Sequence, residues 1–514
     1  MAKNKKVEIS LEEKLKKALV PVEEQPYKIP DNWVWTRLGE ICEINPNKIK
    51  IEIDENELVD FIPMKNTSED SPEIIEKNFE KFKDLQKGYT QFIENDILFA
   101  KITPCMENGK TAIITDLKEK IGYGSTEFHI LRSTKIINNK LLYNFLKQKR
   151  FRDDAKYNMT GSVGFRRVPT IFMKNYSFPL PPLDEQKRIV EKLDFLFDKT
   201  KKAKEIIEEI KIDIENRKIS ILDRAFKGTL TSKWRNENKV SDVKELLKSI
   251  NEEKIKKWEE DCLQTEKDGN KKPKKPIIRK IEDMIVPLEE QSYKLPDSWV
   301  WVRLDNLCEV KGGKRIPKGE EFSNEKTKNV YLRVTDFDNY TINQDKLKYI
   351  SDDLAEKLKN YKISIEDLYL SIAGTIGKVG IIPYELDKSF LTENAVKLTN
   401  LSNTINNKFL LNCFKTNFIQ NLISNSITSS GQPKLAIFRI ENFSIPLPPL
   451  EEQQEIVRIL DEILENENKV KELLELEERI DILEKSILNK AFKGELGTQN
   501  SSDKSAIELL KSIL

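Results

Sequence analysis

The chain has 514 residues, of which 38% are hydrophobic and 34% are charged, and its formal net charge is +1 at pH 7. A domain usually has about 100–200 residues, so this length predicts two to four domains. No apolar run reaches the roughly 18–20 residues of a membrane-spanning helix, and the charged N-terminus lacks the apolar segment of a signal peptide. With five widely spaced cysteines and no C-x-x-C pair, we expect a reduced, cytoplasmic protein.

The first distinctive segment, PVEEQPYKIPDNWVWTRLGEICEI at 21–44, recurs as PLEEQSYKLPDSWVWVRLDNLCEV at 287–310. The two copies share 15 of 24 residues at an offset of 266. A period of this size is too long for a solenoid repeat, whose units have about 20–50 residues. The duplication therefore predicts two similar domains in tandem.

Two later segments recur at almost the same offset. FPLPPLDEQKRIV at 178–190 returns as IPLPPLEEQQEIV at 445–457. SILDRAFKGTL at 220–230 returns as SILNKAFKGEL at 486–496. Each half thus has the same order: an opening segment, a variable stretch, a P-L-P-P-L hinge, a helix and an A-F-K-G end.

A long helix is predicted between Pro182 and Gly228, where about 43 residues without Pro or Gly would span roughly 65 Å. Residues at alternating spacings of four and three form a mostly apolar heptad seam. The second copy, which ends at Gly494, has one residue fewer, so we expect a local change of winding near Val470 and Leu473. The first seam consists of Ile189, Leu193, Leu196, Thr200, Ala203, Ile207, Ile210, Ile214, Arg217 and Ile221.

A seam of this length must be buried by another element. Because the two seams match in length and phase, we predict that the two long helices pack antiparallel within the chain, related by a pseudo-twofold axis. The alternative is that each seam packs on its own domain or on another chain.

The stretches 45–177 and 311–444 have diverged more than their borders and have the pattern of mixed α/β domains. Residues 96–114 of the first stretch and residues 367–382 of the second each contain apolar β-type runs joined by a Gly-containing turn. A common scaffold with unlike polar loops is what two domains need when each recognises something different.

Two further local matches place polar loops of the halves opposite each other. The pair Thr126-Glu127 aligns with Thr392-Glu393. Later, TGSVGFRRV at 160–168 aligns with TSSGQPKLA at 428–436, which places Gly164 opposite Gly431. Such loops carry side chains that can address phosphates and base edges.

The sequence lacks the residues of a catalytic site. Its only histidine, His129, lies in a strand-like run and is expected to be structural, which argues against a His-dependent nuclease or triad. GTIGKV at 374–379 lacks the spacing of a phosphate-binding loop and is predicted to be a hairpin turn. No cysteines or histidine have zinc-ligand spacing, and no [DN]-P-P-[FYW] methyltransferase motif occurs.

The repeated motifs resemble those of the specificity (S) subunit of type I restriction-modification enzymes. The carrying motifs are W-V-W-x-R-L, P-L-P-P-L-x-E-Q-x-x-I-V and A-F-x-G-x-L, each present twice. The resemblance implies an α+β fold in which two mixed α/β target recognition domains stand in pseudo-twofold tandem, separated by a two-helix antiparallel coiled coil. Each domain would read one half of a bipartite DNA site, and the coiled coil would set the spacer.

The resemblance also implies partners and cofactors. The long helices would dock two methyltransferase (M) subunits, to which restriction (R) subunits add. This chain would be non-catalytic and hold no cofactor or metal. S-adenosylmethionine is expected on the methyltransferase subunit, and ATP and Mg on the restriction subunit.

The connector and the tail extend beyond what two domains require. Residues 241–264 are predicted to be helical, and KDGNKKPKKPIIRK at 267–280 to be a solvated tether or a DNA-backbone contact. The tail would dock the methyltransferase subunit or the N-terminal helix. The expected segments are an N-terminal helix 1–20, recognition domain one 21–182, helix one 183–228, a helical and basic linker 229–286, recognition domain two 287–449, helix two 450–494 and a tail 495–514.

Candidate DNA-binding residues follow from polarity, turn context and correspondence between the halves. In the first domain they are Lys101, Thr103, Asn108, Lys110, Thr126, Glu127, Arg166 and Arg167. In the second they are Arg333, Thr335, Thr375, Lys378, Glu393, Asn394, Gln432 and Lys434.

Two rival functions remain open at the level of sequence. The chain could be a coiled-coil scaffold for protein partners that does not bind DNA, although a scaffold has no need of matched frames with unlike loops. It could also be a fragment of a fused methyltransferase, against which the missing methyltransferase motif argues.

Overall fold

A computed structural model describes residues 10–162, 164–267, 272–428, 433–464 and 468–514. The chain divides into two units, Met1–Glu208 with Leu473–Leu514, and Glu209–Glu472. Each unit therefore contains one of the diverged stretches together with parts of both long helices. None of the helices in the described ranges is long and apolar enough to cross a membrane.

The strands have the same plan in both units. In the first they are β1 Val34–Arg37, β2 Cys42–Ile44, β3 Leu58–Ile62, β4 Asn78–Lys81, β5 Thr90–Phe92, β6 Ile97–Ala100, β7 Thr111–Ile113, β8 Gly122–Gly124, β9 Phe128–Ser133 and β10 Ser177–Leu180. In the second they are β11 Val300–Arg303, β12 Cys308–Gly312, β13 Val330–Leu332, β14 Phe337–Asp338, β15 Thr341–Ile342, β16 Lys348–Tyr349, β17 Lys362–Ile363, β18 Asp367–Ser371, β19 Val379–Ile381, β20 Ser389–Leu391, β21 Ala395–Asn400 and β22 Ser444–Leu447.

Each unit has two four-stranded sheets and a two-stranded sheet of the same design. The orders are β2-β9-β6-β7, β4-β3-β8-β5 and β1-β10 in the first unit. They are β12-β21-β18-β19, β16-β13-β20-β17 and β11-β22 in the second, which adds the hairpin β14-β15. The small sheets pair the repeated segments, with Trp35 opposite Pro179 and Trp301 opposite Pro446.

The helices that precede the connector are α1 Leu11–Ala18, α2 Leu38–Ile41, α3 Phe82–Leu85, α4 Asn139–Leu146, α5 Lys149–Tyr157, α6 Thr170–Asn175 and α7 Leu183–Phe226. The remaining helices are α8 Ser232–Glu237, α9 Val243–Lys267, α10 Ile281–Met284, α11 Leu304–Leu307, α12 Asp352–Lys357, α13 Asn407–Lys415, α14 Asn417–Asn425, α15 Ile437–Glu441, α16 Leu450–Leu464, α17 Asn468–Lys493 and α18 Ala506–Lys511.

The long helices α7 and α17 pack antiparallel within the first unit, in agreement with the predicted fold class. The ammonium of Lys204 bonds to the carboxylates of Asp481 at 2.7 Å and Glu484 at 2.9 Å. Toward the start of α7, Glu185 meets Thr498, which follows the end of α17. The change of winding is expected near Val470, whose side chain lies outside the described part together with residues 465–467.

In the first unit, the hydrogen bonds of the repeated segments explain why they recur together. Buried Glu185, in the first turn of α7, accepts hydrogen bonds from Trp33 Nε1 at 2.8 Å and from Thr498 Oγ1 at 3.0 Å. The hydroxyl of Tyr27 donates to the carbonyl of Phe492 at 3.0 Å. The opening segment, the hinge and the A-F-K-G end thus form one junction.

The second unit builds the equivalent junction from the other copies. Glu452, buried in the first turn of α16, accepts from Trp299 Nε1 at 2.9 Å and from Thr231 Oγ1 at 2.6 Å. The hydroxyl of Tyr293 donates to the carbonyl of Phe226, the last residue of α7, at 3.0 Å. The helix that begins beside the first unit's hinge therefore ends packed in the second unit's core.

The connector and the tail form equivalent parts of the two units. In the first unit α18 packs beside α1, with the ammonium of Lys14 on the carbonyl of Leu514 at 2.6 Å. In the second, α9 packs beside α10 and buries Leu247 in the core. The basic segment contacts this unit at Pro273, whose carbonyl accepts from Trp258 Nε1 at 3.1 Å, while Lys272, Lys274 and Lys275 are exposed. The solvated tether or DNA-backbone contact therefore stays a prediction. Residues 268–271 lie outside the described part.

Strand register corrects one alignment made from sequence. Phe128, the first residue of β9, pairs with Ala100, and Ala395, the first residue of β21, pairs with Ser371 in the same way. The preceding residues, 127 and 394, are therefore equivalent, and the match of Thr126-Glu127 with Thr392-Glu393 is wrong by one residue. The chance repetition of Thr-Glu hid a one-residue shift that only the ladder reveals.

Candidate DNA-recognition interface

Three polar loops of the first unit meet at one edge of the sheet β2-β9-β6-β7. Lys101 N, after β6, donates to the carbonyl of Glu127, before β9, at 2.9 Å. Thr103 N donates to the carbonyl of Arg166, in the hairpin 160–167, at 3.1 Å. Because β6 and β9 are antiparallel neighbours, the end of one lies beside the start of the other. The structure therefore brings the predicted loops of this unit together.

Arg167 and Glu127 form a two-point ion pair on this surface. Nε and Nη2 of Arg167 lie 2.8 and 2.7 Å from the two carboxylate oxygens of Glu127. This hydrogen bonding lowers the pKa of Glu127 despite partial burial. The side chain of Arg166 is exposed, and burial lowers the pKa of Lys101. Arg166 is thus the more accessible cation, while Arg167 is already oriented by a carboxylate.

The other first-unit candidates differ in how firmly they are held. Asn108 Nδ2 donates to Glu69 Oε1 at 2.9 Å. The ammonium of Lys110 lies 3.4 Å from the carbonyl of Met64. Thr126 is exposed in the loop before β9. Asn108 and Lys110 are therefore bonded within the protein, whereas Thr126 faces solvent.

Phe165 is a surface residue that reasoning from sequence missed. Its side chain is 63% exposed near the tip of the hairpin, between Gly164 and the two arginines. Gly164 has φ +85°, a conformation that favours glycine, and its carbonyl accepts from Thr103 Oγ1 at 3.2 Å. An exposed ring beside guanidinium groups can stack on a base. The signal was the ring in G-F-R-R, overlooked because only polar side chains were selected.

The second unit assembles its loops through the same backbone contacts. Ile372 N, after β18, donates to the carbonyl of Asn394 at 2.8 Å, and Leu435 N donates to the carbonyl of Ile372 at 2.9 Å. Exposed Lys434 pairs along the backbone with Ala373. Gln432, and Gly431 beside it, lie outside the described residues.

Glu393 has an arginine partner that the sequence did not suggest. Arg315 Nε lies 2.6 Å from Glu393 Oε1, and Thr392 Oγ1 lies 3.1 Å from the other oxygen. Burial would raise the pKa of Glu393, but these hydrogen bonds, with one from the backbone, outweigh it and the pKa is lowered. Arg315 comes from the loop after β12, whereas Arg167 comes from the late hairpin. Both surfaces thus pair an arginine with a glutamate by different routes.

Two cationic candidates of the second unit are tied to their own domain. Arg333 bonds to Asp336 through Nε at 3.1 Å and Nη2 at 2.6 Å. The ammonium of Lys378 donates to the carbonyl of Phe337 at 2.6 Å. Their neighbours Thr335 and Thr375 are exposed. These contacts shape the loops of this unit, and the threonines are the more accessible pair.

His129 stabilises the first unit's loop cluster. Its Nε2 lies 2.8 Å from the carbonyl of Val168, to which it donates, and its Nδ1 lies 3.0 Å from Asn45 Nδ2. Burial lowers the pKa of His129 to about 4, so the ring is neutral at pH 7. Within the described ranges, no group of three or more His, Cys, Asp or Glu side chains is arranged to hold a metal ion.

Known proteins match both halves of the chain. A family model described as the type I restriction modification DNA specificity domain matches residues 30–212 and 296–478. The type I restriction enzyme EcoAI specificity subunit from Escherichia coli is 32% identical over 498 residues, which are 88% of this chain and 81% of the relative. The EcoEI specificity subunit from Escherichia coli is 27% identical over 503 residues, with the same coverage.

Solved structures share the fold. A chain from work on complex assembly and conformational transition of the type I R-M system aligns with a TM-score of 0.68 and 18% identity, over 92% of this chain and 100% of the other. The HsdS subunit from Thermoanaerobacter tengcongensis aligns with a TM-score of 0.53 and 19% identity, with the same coverage. Since the family model covers most of the sequence and a relative exceeds 30% identity over most of its length, the chain belongs to the family of type I restriction-modification specificity subunits.

Proposed function

We propose that this chain is the DNA sequence-recognition subunit of a type I restriction-modification complex and that each unit reads one half of a bipartite duplex site. The observation that carries the proposal is the pair of matching frames with unlike loops. Equivalent backbone bonds, Lys101 N to Glu127 and Ile372 N to Asn394, hold loops whose exposed side chains differ. Positioning on the duplex would come from cations at phosphates, and selectivity from base contacts.

In the first unit, Arg166 and Phe165 are the leading contacts. A guanidinium can bond in two-point fashion to guanine or pair with a phosphate, and an aromatic ring can stack. In the second unit, exposed Lys434 lies in the loop equivalent to this hairpin, and exposed Thr375 lies in the turn between β18 and β19. The different chemistry of these side chains supports different half-sites.

We propose that the long helices set the spacer between half-sites and dock two methyltransferase subunits. Helix α7 has 44 residues, which is about 66 Å of helix. It carries exposed apolar side chains, Phe195 and Ile206, and α17 carries Ile482 and Leu483. Exposed apolar residues on a helix are suited to a partner interface. Deleting one heptad from α7 should change the spacer that is accepted and leave the half-site bases unchanged.

The chemistry would belong to the partners. We propose that this chain is non-catalytic, that S-adenosylmethionine binds the methyltransferase subunit, and that ATP and Mg bind restriction subunits. The complex would act in the cytoplasm, where the chromosome is.

The test combines methylation mapping with paired variants. Methylated adenines mapped across the host genome should show a bipartite motif that disappears when this gene is deleted. The purified complex should bind that motif, and Arg166→Ala with Arg167→Ala should weaken binding by about tenfold or more, as loss of one or two base or phosphate contacts predicts. Lys233→Ala, which removes a highly exposed lysine of α8, is the control. A genome without bipartite methylation, or unaltered affinity of the double variant, would count against the proposal.

A further inference from the structure

Each unit presents a turn that connects two strands of the sheet carrying its recognition loops. In the first unit it joins β6 to β7 and contains Asn108 and Lys110. In the second it joins β18 to β19 and contains Thr375 and Lys378. A turn can present side chains reproducibly only if its backbone is fastened to the rigid part of the domain.

In the first unit, two half-buried cations from neighbouring helices hold the turn. Nη1 of Arg152, on α5, donates to the carbonyl of Glu107 at 2.9 Å. The ammonium of Lys147, at the end of α4, donates to the carbonyl of Gly109 at 3.0 Å and also bonds to the carbonyl of Glu69. Both cations therefore bond to backbone oxygens, which are present whatever side chains the turn carries.

The backbone at the contact has a conformation that favours glycine, and a larger residue would displace the ends of both cations. Gly109 has φ +82°, and a Cβ there would lie 2.8 Å from Arg152 Nη1 and 3.3 Å from Lys147 Nζ. Burial, reinforced by the charge of Arg152 and opposed by Asp70 and Glu69, lowers the pKa of Lys147 to about 8. Arg152 Nε is buried and has no hydrogen-bond partner among the residues that the structure describes, so this part of the guanidinium faces the protein.

The second unit fastens its turn from the same place with a neutral side chain. Nε2 of Gln420, on α14, donates to the carbonyl of Gly377 at 3.3 Å and to the carbonyl of Phe414 at 2.7 Å. Gly377 has φ +94°, and a Cβ there would lie 3.0 Å from Gln420 Oε1. The helices α5 and α14 each have nine residues, and Arg152 and Gln420 are both the fourth.

We infer that Arg152 and Gln420 are positioning residues for DNA specificity: each holds the backbone of its unit's recognition turn, and neither contacts DNA. The inference deepens the proposed function and rests on it. Its consequence is that selectivity for one half-site depends on a side chain behind the interface. Gly109 and Gly377, both with positive φ, form the backbone bends at which these contacts are made.

The test measures binding of the complex with its methyltransferase subunits to duplexes carrying the mapped site, at several salt concentrations. Arg152→Met should weaken specific binding about tenfold, the effect of one lost charge-assisted hydrogen bond, and reduce discrimination only at the first half-site. The slope of log affinity against log salt should stay unchanged, as should binding to non-specific duplex, because no phosphate contact is lost. Gln420→Met should affect only the second half-site.

Two further variants keep the outcome decisive. Arg152→Gln introduces the second unit's residue and should retain more discrimination than Arg152→Met. If Arg152→Met fails to fold, Arg152→Gln replaces it in the binding measurements. Arg166→Ala is the comparison for a direct contact and should lower the salt slope by about one. If Arg152→Met lowers the salt slope and weakens binding to specific and non-specific duplex equally, Arg152 contacts a phosphate and the inference is overturned. The inference is also overturned if Arg152→Met discriminates between half-sites as well as the wild-type protein does. Failure of the wild-type complex to discriminate at all would instead refute the proposed function.

Discussion

The two units bury a glutamate at the same place but surround it with different partners. In the second unit Glu452 is paired with Arg235, whose Nε and Nη2 lie 3.0 and 2.7 Å from one carboxylate oxygen. In the first unit Glu185 is held by the neutral donors Trp33 and Thr498. In both units the carboxylate lies in the first turn of a long helix, where the helix dipole favours it.

Near these glutamates, each unit has an ion pair between the long helix and the segment that packs on it. The helix carries the acid in one unit and the base in the other. In the second unit the long helix carries the acid, Glu452, and the connector carries Arg235. In the first unit the helix carries Arg188, one turn after the hinge, and the tail carries Asp503. The shared frame therefore specifies where the end of one long helix meets the start of the other, and the charges that fasten this contact can be exchanged.

The largest expected effect follows from the buried pair. Arg235→Met should lower the free energy of unfolding of the second unit by about 3–5 kcal/mol, because the buried carboxylate of Glu452 would lose its cationic partner and keep only the neutral donors Trp299 and Thr231. Urea unfolding followed by hydrogen exchange of second-unit peptides measures it. Adding Glu452→Gln should recover part of the loss. Lys408→Met, which breaks the exposed pair with Asp461, should cost less than about 1 kcal/mol; equal losses would contradict the argument.

A difference in acid sensitivity follows from His129, whose place in the second unit is taken by Val396. The folded pKa of His129 is about 4, below its ordinary value of 6.5, so unfolding takes up a proton between these values. Its contribution, about 3 kcal/mol, is complete above pH 6.5 and is lost as pH falls to about 4. Hydrogen exchange should show residues 128–133 losing protection in this window, and His129→Gln should abolish that dependence. If residues 128–133 lose as much protection in His129→Gln as in the wild-type protein over this pH range, His129 is not the cause of the acid sensitivity.

The hairpin of the first unit provides a smaller effect on binding. Phe165→Ala should weaken binding to duplexes with the first half-site by about 1–3 kcal/mol, the usual contribution of a stacked base, while leaving stability unchanged. Fluorescence titration with the partner-containing complex measures it. Phe79→Ala removes a half-exposed ring from the edge strand β4 and is the matched control. Identical behaviour of the two variants would remove Phe165 from the interface.

The smallest expected effect concerns the exposed arginine–glutamate pair. Glu127→Gln should change stability by less than about 1 kcal/mol, because Arg167 is 45% exposed and solvent screens the pair. The released guanidinium should bind non-specific duplex several-fold more tightly and steepen the salt dependence. Gel-shift titrations at two salt concentrations measure this. Weaker binding would mean that the carboxylate itself, or the geometry it imposes on Arg167, is needed.

Repetition in the sequence was sufficient to predict the tandem frame. The segments with W-V-W and P-L-P-P-L recur because each pair builds one small antiparallel sheet, such as β1 with β10. The same reasoning could not find Arg315, because its partner Glu393 is 78 residues away along the chain. It also could not identify Arg152 as the support of the turn at Glu107, since helix and turn meet only when the domain folds.

By itself the sequence determined two copies of one domain, each with a long amphipathic helix, because similar segments at a nearly constant offset and a heptad seam can be read without knowledge of the fold. Folding in three dimensions decided which copy packs with which: the end of α7, at Phe226, joins the second unit's core, and Phe492 joins the first. It also decided that residue 127 corresponds to Asn394, because hydrogen-bonded ladders fix register across insertions that local similarity cannot count.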